Sequence, residues 1–361
     1  MNRVMSSAYM QWAKLHSASC FNLAVSGMPS YPLSELPVKL EDLELSRGGA
    51  YGYAPLQAAL AAHCGVEKEN VVTAAGTSMA NLLAMAAILE PGGQALVEHP
   101  TYELLLAALG YLQADVRRFE RTPESGFALD PRAIERAITP RTKLIVLTNL
   151  HNPSSALAPQ ATLRTVGEIA RGVGARVLVD EVYLDAVFDD TPPTAFQLGP
   201  QFVVTNSLTK VYGLSGLRCG WILAEPGLAR RIWQLDDLFD VNPAHVAERL
   251  SCIALANLGP VRSRSRALLN ANRPLLNRFF ATRSDLEVRP LESGTVALPR
   301  LVSGPVDRLC HLLKSKYEAT VVPGSFFEMP QHFRIGIATE TSILAEGLRR
   351  LASALDECAG Q

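Results

Sequence analysis

The sequence predicts an α/β protein: a large domain with a mostly parallel sheet covered by helices on both faces, plus a smaller α+β domain. Three observations predict it. Apolar, β-branched runs alternate with helix-length stretches between about residues 56 and 223. After about Asp240 the pattern changes to long helices followed by short strands. At 361 residues the chain is also long for one hydrophobic core.

The elements follow in order. The first 45 residues carry Pro29, Pro32 and Pro37 and read as an irregular arm. Strand-like runs stand at 71–73, 143–147, 176–179 and 202–204, with helix-length stretches at 77–89, 102–110 and 159–174. Continuous apolar strands are buried on both faces, and intervening helices let neighbours run parallel. Beyond residue 240, helical stretches at 243–257 and 260–281 precede short strands near 285–289, 296–299 and 333–338. An amphipathic stretch at 341–355 closes the chain. The expected large domain is thus 46–240, with 1–45 and 241–361 forming the arm and the small domain. No internal repeat, low-complexity tract or long linker interrupts this plan.

Composition narrows the functional classes. Hydrophobic residues make up 48 % and charged ones 19 %, with a net charge of −1. No basic stripe points to nucleic acid and no polybasic segment to an anionic membrane. Six cysteines are scattered without a C-x-x-C pair, and the histidines show no H-E-x-x-H spacing. This argues against a disulfide framework or a metal site, and a reducing cytoplasm is the expected location. The N-terminal segment lacks the apolar core of a signal peptide. The most apolar helical stretch, 79–89, is too short to span a bilayer.

Parallel sheets present ligands at the carboxyl ends of their strands. Three such ends are rich in polar groups: T-N-L-H-N-P at 148–153, V-D-E-V-Y at 179–183, and S-L-T-K-V-Y-G-L-S-G-L-R-C-G at 207–220. Upstream, Gly76-Thr77-Ser78 follows a strand and opens a helix, an arrangement whose backbone N–H groups cradle phosphate. Near the end stands F-R-I-G at 333–336.

Together these segments resemble the aminotransferase class I/II family, the fold-type I enzymes dependent on pyridoxal phosphate (the aspartate aminotransferase superfamily). The resemblance covers roughly residues 22–355. It implies that Lys210 is the Schiff-base lysine and proton shuttle. Asp180 would pair with the pyridine nitrogen, and Tyr183 and Asn152 would meet the phenolic oxygen. Ser207, Arg218 and the Gly76-Thr77-Ser78 turn would hold the phosphate. Tyr102 would stack on the ring. Arg334, with Asn152, would take the substrate's α-carboxylate, and Ser26-Gly27 resembles the segment that closes over the substrate. Tyr51 or Tyr53, with Tyr51 favoured, would reach the phosphate of a neighbouring subunit, so a homodimer is implied.

Two departures stand out. Where the family often reads N-P-x-N-P-[TS]-G, Leu150 replaces a proline and Ser155 a glycine. The expected reaction is transfer of an amino group between an amino acid and a 2-oxo acid. Carbon–sulfur lyases, phosphothreonine decarboxylases and cyclopropane-forming synthases share the constellation. Asn206, where the phosphorylated-substrate branches commonly have arginine, weakens that variant. A non-catalytic regulatory module is disfavoured, because only about 45 residues precede the catalytic-looking region and they hold no basic recognition helix.

Overall fold

Seven strands form one central sheet in the computed structural model, which describes residues 3–16 and 18–359. In chain order they are β1 (Val71–Ala75), β2 (Gln94–His99), β3 (Asp115–Glu120), β4 (Thr142–Thr148), β5 (Arg176–Asp180), β6 (Phe202–Ser207) and β7 (Cys219–Leu223). Their spatial order is β1-β7-β6-β5-β4-β2-β3. β7 alone runs antiparallel to its neighbours. The carboxyl ends of β4, β5 and β6 therefore lie side by side, at Thr148, Asp180 and Ser207.

Successive strand residues point to opposite faces, so each strand feeds two cores. Leu144, Val146, Leu178 and Val203 enter one core, and Ile145, Leu147, Val179 and Val204 the other. Burying each such side chain contributes roughly 1.5–3 kcal/mol. Helices cover both faces. They are α1 (Ala8–His16), α2 (Ala54–Cys64), α3 (Gly76–Ile88), α4 (Glu103–Tyr111), α5 (Pro131–Ala137), α6 (Gln160–Gly172) and α7 (Pro226–Asp236), followed by α8 (His245–Ala256), α9 (Leu258–Ala281), α10 (Val306–Lys316) and α11 (Thr341–Ala359). Side chains of α3, α4 and α7 join the first core, and those of α2, α5 and α6 the second.

Outside the main sheet, Phe333–Gly336 pairs with both Val296–Ala297 and Val322–Pro323. Phe21–Asn22 pairs in parallel with Ala319–Thr320, tying the start of the chain to its C-terminal third. The six cysteines are free thiols, and no helix among the described residues is long and apolar enough to cross a membrane.

Two expectations need correction. The first 45 residues are not wholly irregular, because α1 precedes the prolines. Three strands were also not legible. Polar Gln94 and Glu98 interrupt β2, and edge strand β3 carries Asp115, Arg117, Arg118 and Glu120. β7 follows directly on the glycine-containing loop after Lys210.

Candidate active site

The carboxyl ends of β4–β6, the N-terminus of α3 and one face of α1 enclose a cavity of about 450 Å³. All the residues singled out from the sequence line it except Gly76, Tyr51 and Tyr53. Gly76 instead packs against Arg218, which does line it. Its φ of +80° is left-handed, and a side chain there would collide with the Arg218 guanidinium.

Lys210 lies in the loop between β6 and β7. Its carbonyl accepts from the Met28 N–H at 2.7 Å, and its Nζ donates to Ser26 Oγ at 3.1 Å. The arm thus meets the lysine directly. Gly27 leaves just enough room, since a Cβ there would stand 3.1 Å from Lys210 Cδ. Burial lowers the Lys210 pKa, Arg334 and Arg218 push the same way, and Tyr9 and Asp180 oppose them. This favours a neutral amine, as a proton acceptor requires.

Asp180 ends β5 and is buried. Asn81 Nδ2 donates to its Oδ2 at 2.8 Å, the Val182 N–H donates to Oδ1 at 3.0 Å, and Thr205 Oγ1 fixes the Asn81 amide by donating to Oδ1 at 2.6 Å. Burial still prevails and raises the carboxyl to about 6, against the bonds from Asn81 and Val182 and the charge of Lys210. Tyr183, three residues on, is buried, and burial raises its phenol while Arg334 and a hydrogen bond with Ser26 oppose.

On the other side of the cavity, donors converge on one spot. The first turn of α3 leaves backbone N–H groups without helical partners. Thr77 Oγ1 donates to Ser207 Oγ at 2.8 Å, and the Arg218 guanidinium donates to the Ala75 carbonyl at 2.9 Å. Close approach of β7 makes this possible. A Cβ on Gly220 would stand 2.5 Å from the Gly76 carbonyl carbon. A helix N-terminus, three hydroxyls (Ser78 included) and an arginine form an anion cradle.

Arg334 forms the third pole. Nη1 donates to Asn152 Oδ1 at 3.0 Å, and Nη2 donates to Tyr9 OH at 2.7 Å. Its buried Nε has no partner among the described residues. Behind Asn152 runs a buried relay. The Asn152 N–H donates to Thr148 Oγ1, and Thr148 Oγ1 and N–H both donate to Glu98. Glu98 in turn meets Arg121 at 2.7 Å, with neither side chain exposed. The two departures from the family motif fit this loop. Leu150 is buried, and Ser155 sits at φ +63°, where its Oγ donates to the Val296 carbonyl.

Tyr102 lines the cavity and meets Tyr9 edge-on at 5.5 Å. Tyr51 is 54 % exposed and donates to Asp237 at 3.1 Å, and Tyr53 meets the His245 ring edge-on. Neither lines the cavity of a single chain. Sequence reasoning missed Tyr9, Asn81 and Glu98. For Asn81 a signal existed: an amide inside an otherwise apolar helix calls for a buried polar partner.

A buried lysine of lowered pKa, a buried carboxylate and a cluster of anion-binding donors meet at the strand ends of a mostly parallel sheet, where an α/β enzyme presents its ligands. The sequence profile described as "Aminotransferase class I and II" matches residues 42–355. The chain belongs to this family and is an enzyme, a transferase of the pyridoxal-phosphate-dependent kind. It is 27 % identical to capreomycidine synthase of Streptomyces vinaceus, over 92 % of this chain and 89 % of that protein. It is 26 % identical to arginine–pyruvate transaminase of Pseudomonas aeruginosa, over 82 % and 77 %. A solved aminotransferase from Streptococcus suis superposes with a TM-score of 0.92, at 25 % identity and 99 % coverage of both chains.

Proposed function

We propose that this chain exchanges an amino group between an amino acid and a 2-oxo acid, with pyridoxal phosphate held by the residues named above. The observation that carries the reading is that Lys210, Asp180 and the α3 cradle with Arg218 face one cavity, with Arg334 on its remaining side. The donor set fits the cofactor. The cradle suits a phosphate, and Asp180 has the position and burial to hold a protonated ring nitrogen. When bound, the cofactor supplies an aldehyde for the lysine and a ring that draws away the charge left by a departing α-proton.

The protein's own residues do the rest. Arg334 binds the substrate carboxylate, with Asn152 and Tyr9 fixing its fork. Lys210 Nζ, neutral through burial, takes the α-proton and returns it on the other carbon. Asp180 remains ionised once a cation lies against it, since an opposite charge favours the charged form. Tyr183 and Asn152 offer polar groups to the ring's oxygen, and Tyr102 an aromatic face. α1 closes one side against water.

The reading extends to a large domain at 46–240, a small one from 1–45 with 241–361, a cytoplasmic location and a homodimer. Leu238 and Val241 are well exposed beside Tyr51 and Asp237, which supports a second copy covering this edge and bringing Tyr51 or Tyr53 to its cofactor.

The test is a screen of amino donors with the purified, cofactor-loaded protein, following visible absorbance with and without a 2-oxo acid. Aminotransfer requires the oxo acid for a second turnover. Continued turnover without it would replace this reading with a lyase, decarboxylase or cyclase.

A further inference from the structure

Four charged side chains stand among the described residues that line the cavity: Asp180, Lys210, Arg218 and Arg334. The proposed chemistry uses all four. Much of the remaining wall comes from α1 and from the arm between Asn22 and Met28. Tyr9, Trp12, Ala13 and His16 recur at i, i+3, i+4 and i+7, so one face of this helix looks into the cavity. That face is aromatic. Trp12 stacks on His16 with centroids 4.8 Å apart and planes 14° apart. Tyr9 stands 6.3 Å from Trp12 at 25°, and Phe326 backs Trp12 at 5.5 Å.

Two polar atoms of this face, Tyr9 OH and His16 Nδ1, are already committed. Tyr9 OH accepts from Arg334, and His16 Nδ1 lies 2.7 Å from the Trp12 carbonyl, which can only accept. No carboxylate, ammonium or guanidinium of α1 faces the cavity. A charged substrate side chain here would lose hydration and gain no counter-charge. A flat apolar ring would gain both buried area and ring–ring contact.

We propose that the amino-acid substrate has an uncharged aromatic side chain and that α1 is the element selecting it, with Trp12 and His16 as the walls. This rests on the aminotransferase reading. The ranking is testable in the full-length, cofactor-loaded protein with one fixed 2-oxo acid. The kcat/KM values for phenylalanine, tyrosine and tryptophan should exceed those for aspartate, glutamate and arginine by at least about tenfold. Trp12→Ala should lower the ratio of phenylalanine to alanine kcat/KM by about tenfold.

Binding gives a second readout that needs no turnover. 3-Phenylpropionate should bind more tightly than succinate, followed by titration calorimetry. A preference for a charged amino acid, or succinate binding as tightly as 3-phenylpropionate, would overturn the assignment. A protein that turns over no amino acid would defeat the aminotransferase reading, and the binding comparison would still decide the side-chain pocket.

Discussion

The guanidinium of Arg334 donates to the hydroxyl of Tyr9 at 2.7 Å, joining two residues 325 positions apart. The bond links α1 to the strand Phe333–Gly336, and so the start of the chain to the pole that would hold the substrate carboxylate. Nη1 is held by Asn152, and among the described residues Nη2 otherwise reaches only the Ala24 carbonyl, at 3.3 Å.

Tyr9→Phe therefore frees one end of the fork while keeping the ring that packs on Tyr102. A hydrogen bond to a charged group contributes about 1.5–3 kcal/mol. The expected result is a rise in KM for the amino acid of roughly tenfold or more, with a smaller change in kcat. Steady-state kinetics of the variant check this. An unchanged KM would show that Tyr9 does not position Arg334 for substrate.

How far such relationships could be read from sequence depends on chain distance. The place of Lys210, Asp180 and Tyr183 at the cavity was legible because each sits within a few residues of an apolar strand end, where a parallel sheet must present polar groups. Tyr9, Asn81 and Glu98 were not. Their partners lie 325, 99 and 50 residues away, and nothing local names those partners, although the amide of Asn81 in an apolar helix calls for one. α1 was hidden because Pro29, Pro32 and Pro37 dominate the reading of a segment that begins with an ordinary nine-residue helix. β3 was hidden because an edge strand need not be apolar.

Glu98 offers a prediction about support rather than chemistry. Its carboxylate is the base of the relay through Thr148 to Asn152, and its pairing with Arg121 is fully enclosed. Burial raises Glu98 and lowers Arg121, so each charge persists through the other. Glu98→Gln leaves Arg121 charged and unpaired, at a cost of about 3–5 kcal/mol. Thermal unfolding should shift down by roughly 5–10 °C. Adding Arg121→Met should recover part of the loss. A single variant as stable as the parent would show that the pair is not needed.

Asp180 sets stability against binding. Burial lifts its carboxyl to about 6, from a usual value of 3.8, against the bonds from Asn81 and Val182 and the charge of Lys210. The folded state then holds a proton that the unfolded state releases, so stability falls as pH rises from about 4 to 6. The lost stability amounts to about 3 kcal/mol at 1.36 kcal/mol per unit. Asp180→Asn removes the charge. The cofactor-free variant should melt at or above the parent at pH 8, yet gain much less on adding pyridoxal phosphate. Calorimetric scans with and without the cofactor check both halves. A large drop in the cofactor-free melting temperature would mean that the carboxylate is structural.

Glu181 is the neighbouring carboxyl on the opposite side of β5, and no step of the proposed chemistry uses it. It is buried, and its Oε1 accepts from the Ala195 N–H at 2.7 Å. Burial raises it to about 8, opposed by bonds from Ala195 and Thr194 and reinforced by the charges of Asp185 and Asp180. A raised carboxyl is protonated in the folded chain while already ionised in the unfolded one. Between about pH 4.5 and 8 the folded state therefore binds one more proton, and stability falls with rising pH by up to about 1.36 kcal/mol per unit. Above pH 8 both states are ionised and the loss stops growing. Glu181→Gln keeps an acceptor for Ala195 and removes the titration. Its melting temperature should gain steadily on the parent from pH 5 to pH 8 and then run parallel to it. A difference that is constant across this range would place the ionisation of Glu181 outside it and leave the pH dependence to Asp180.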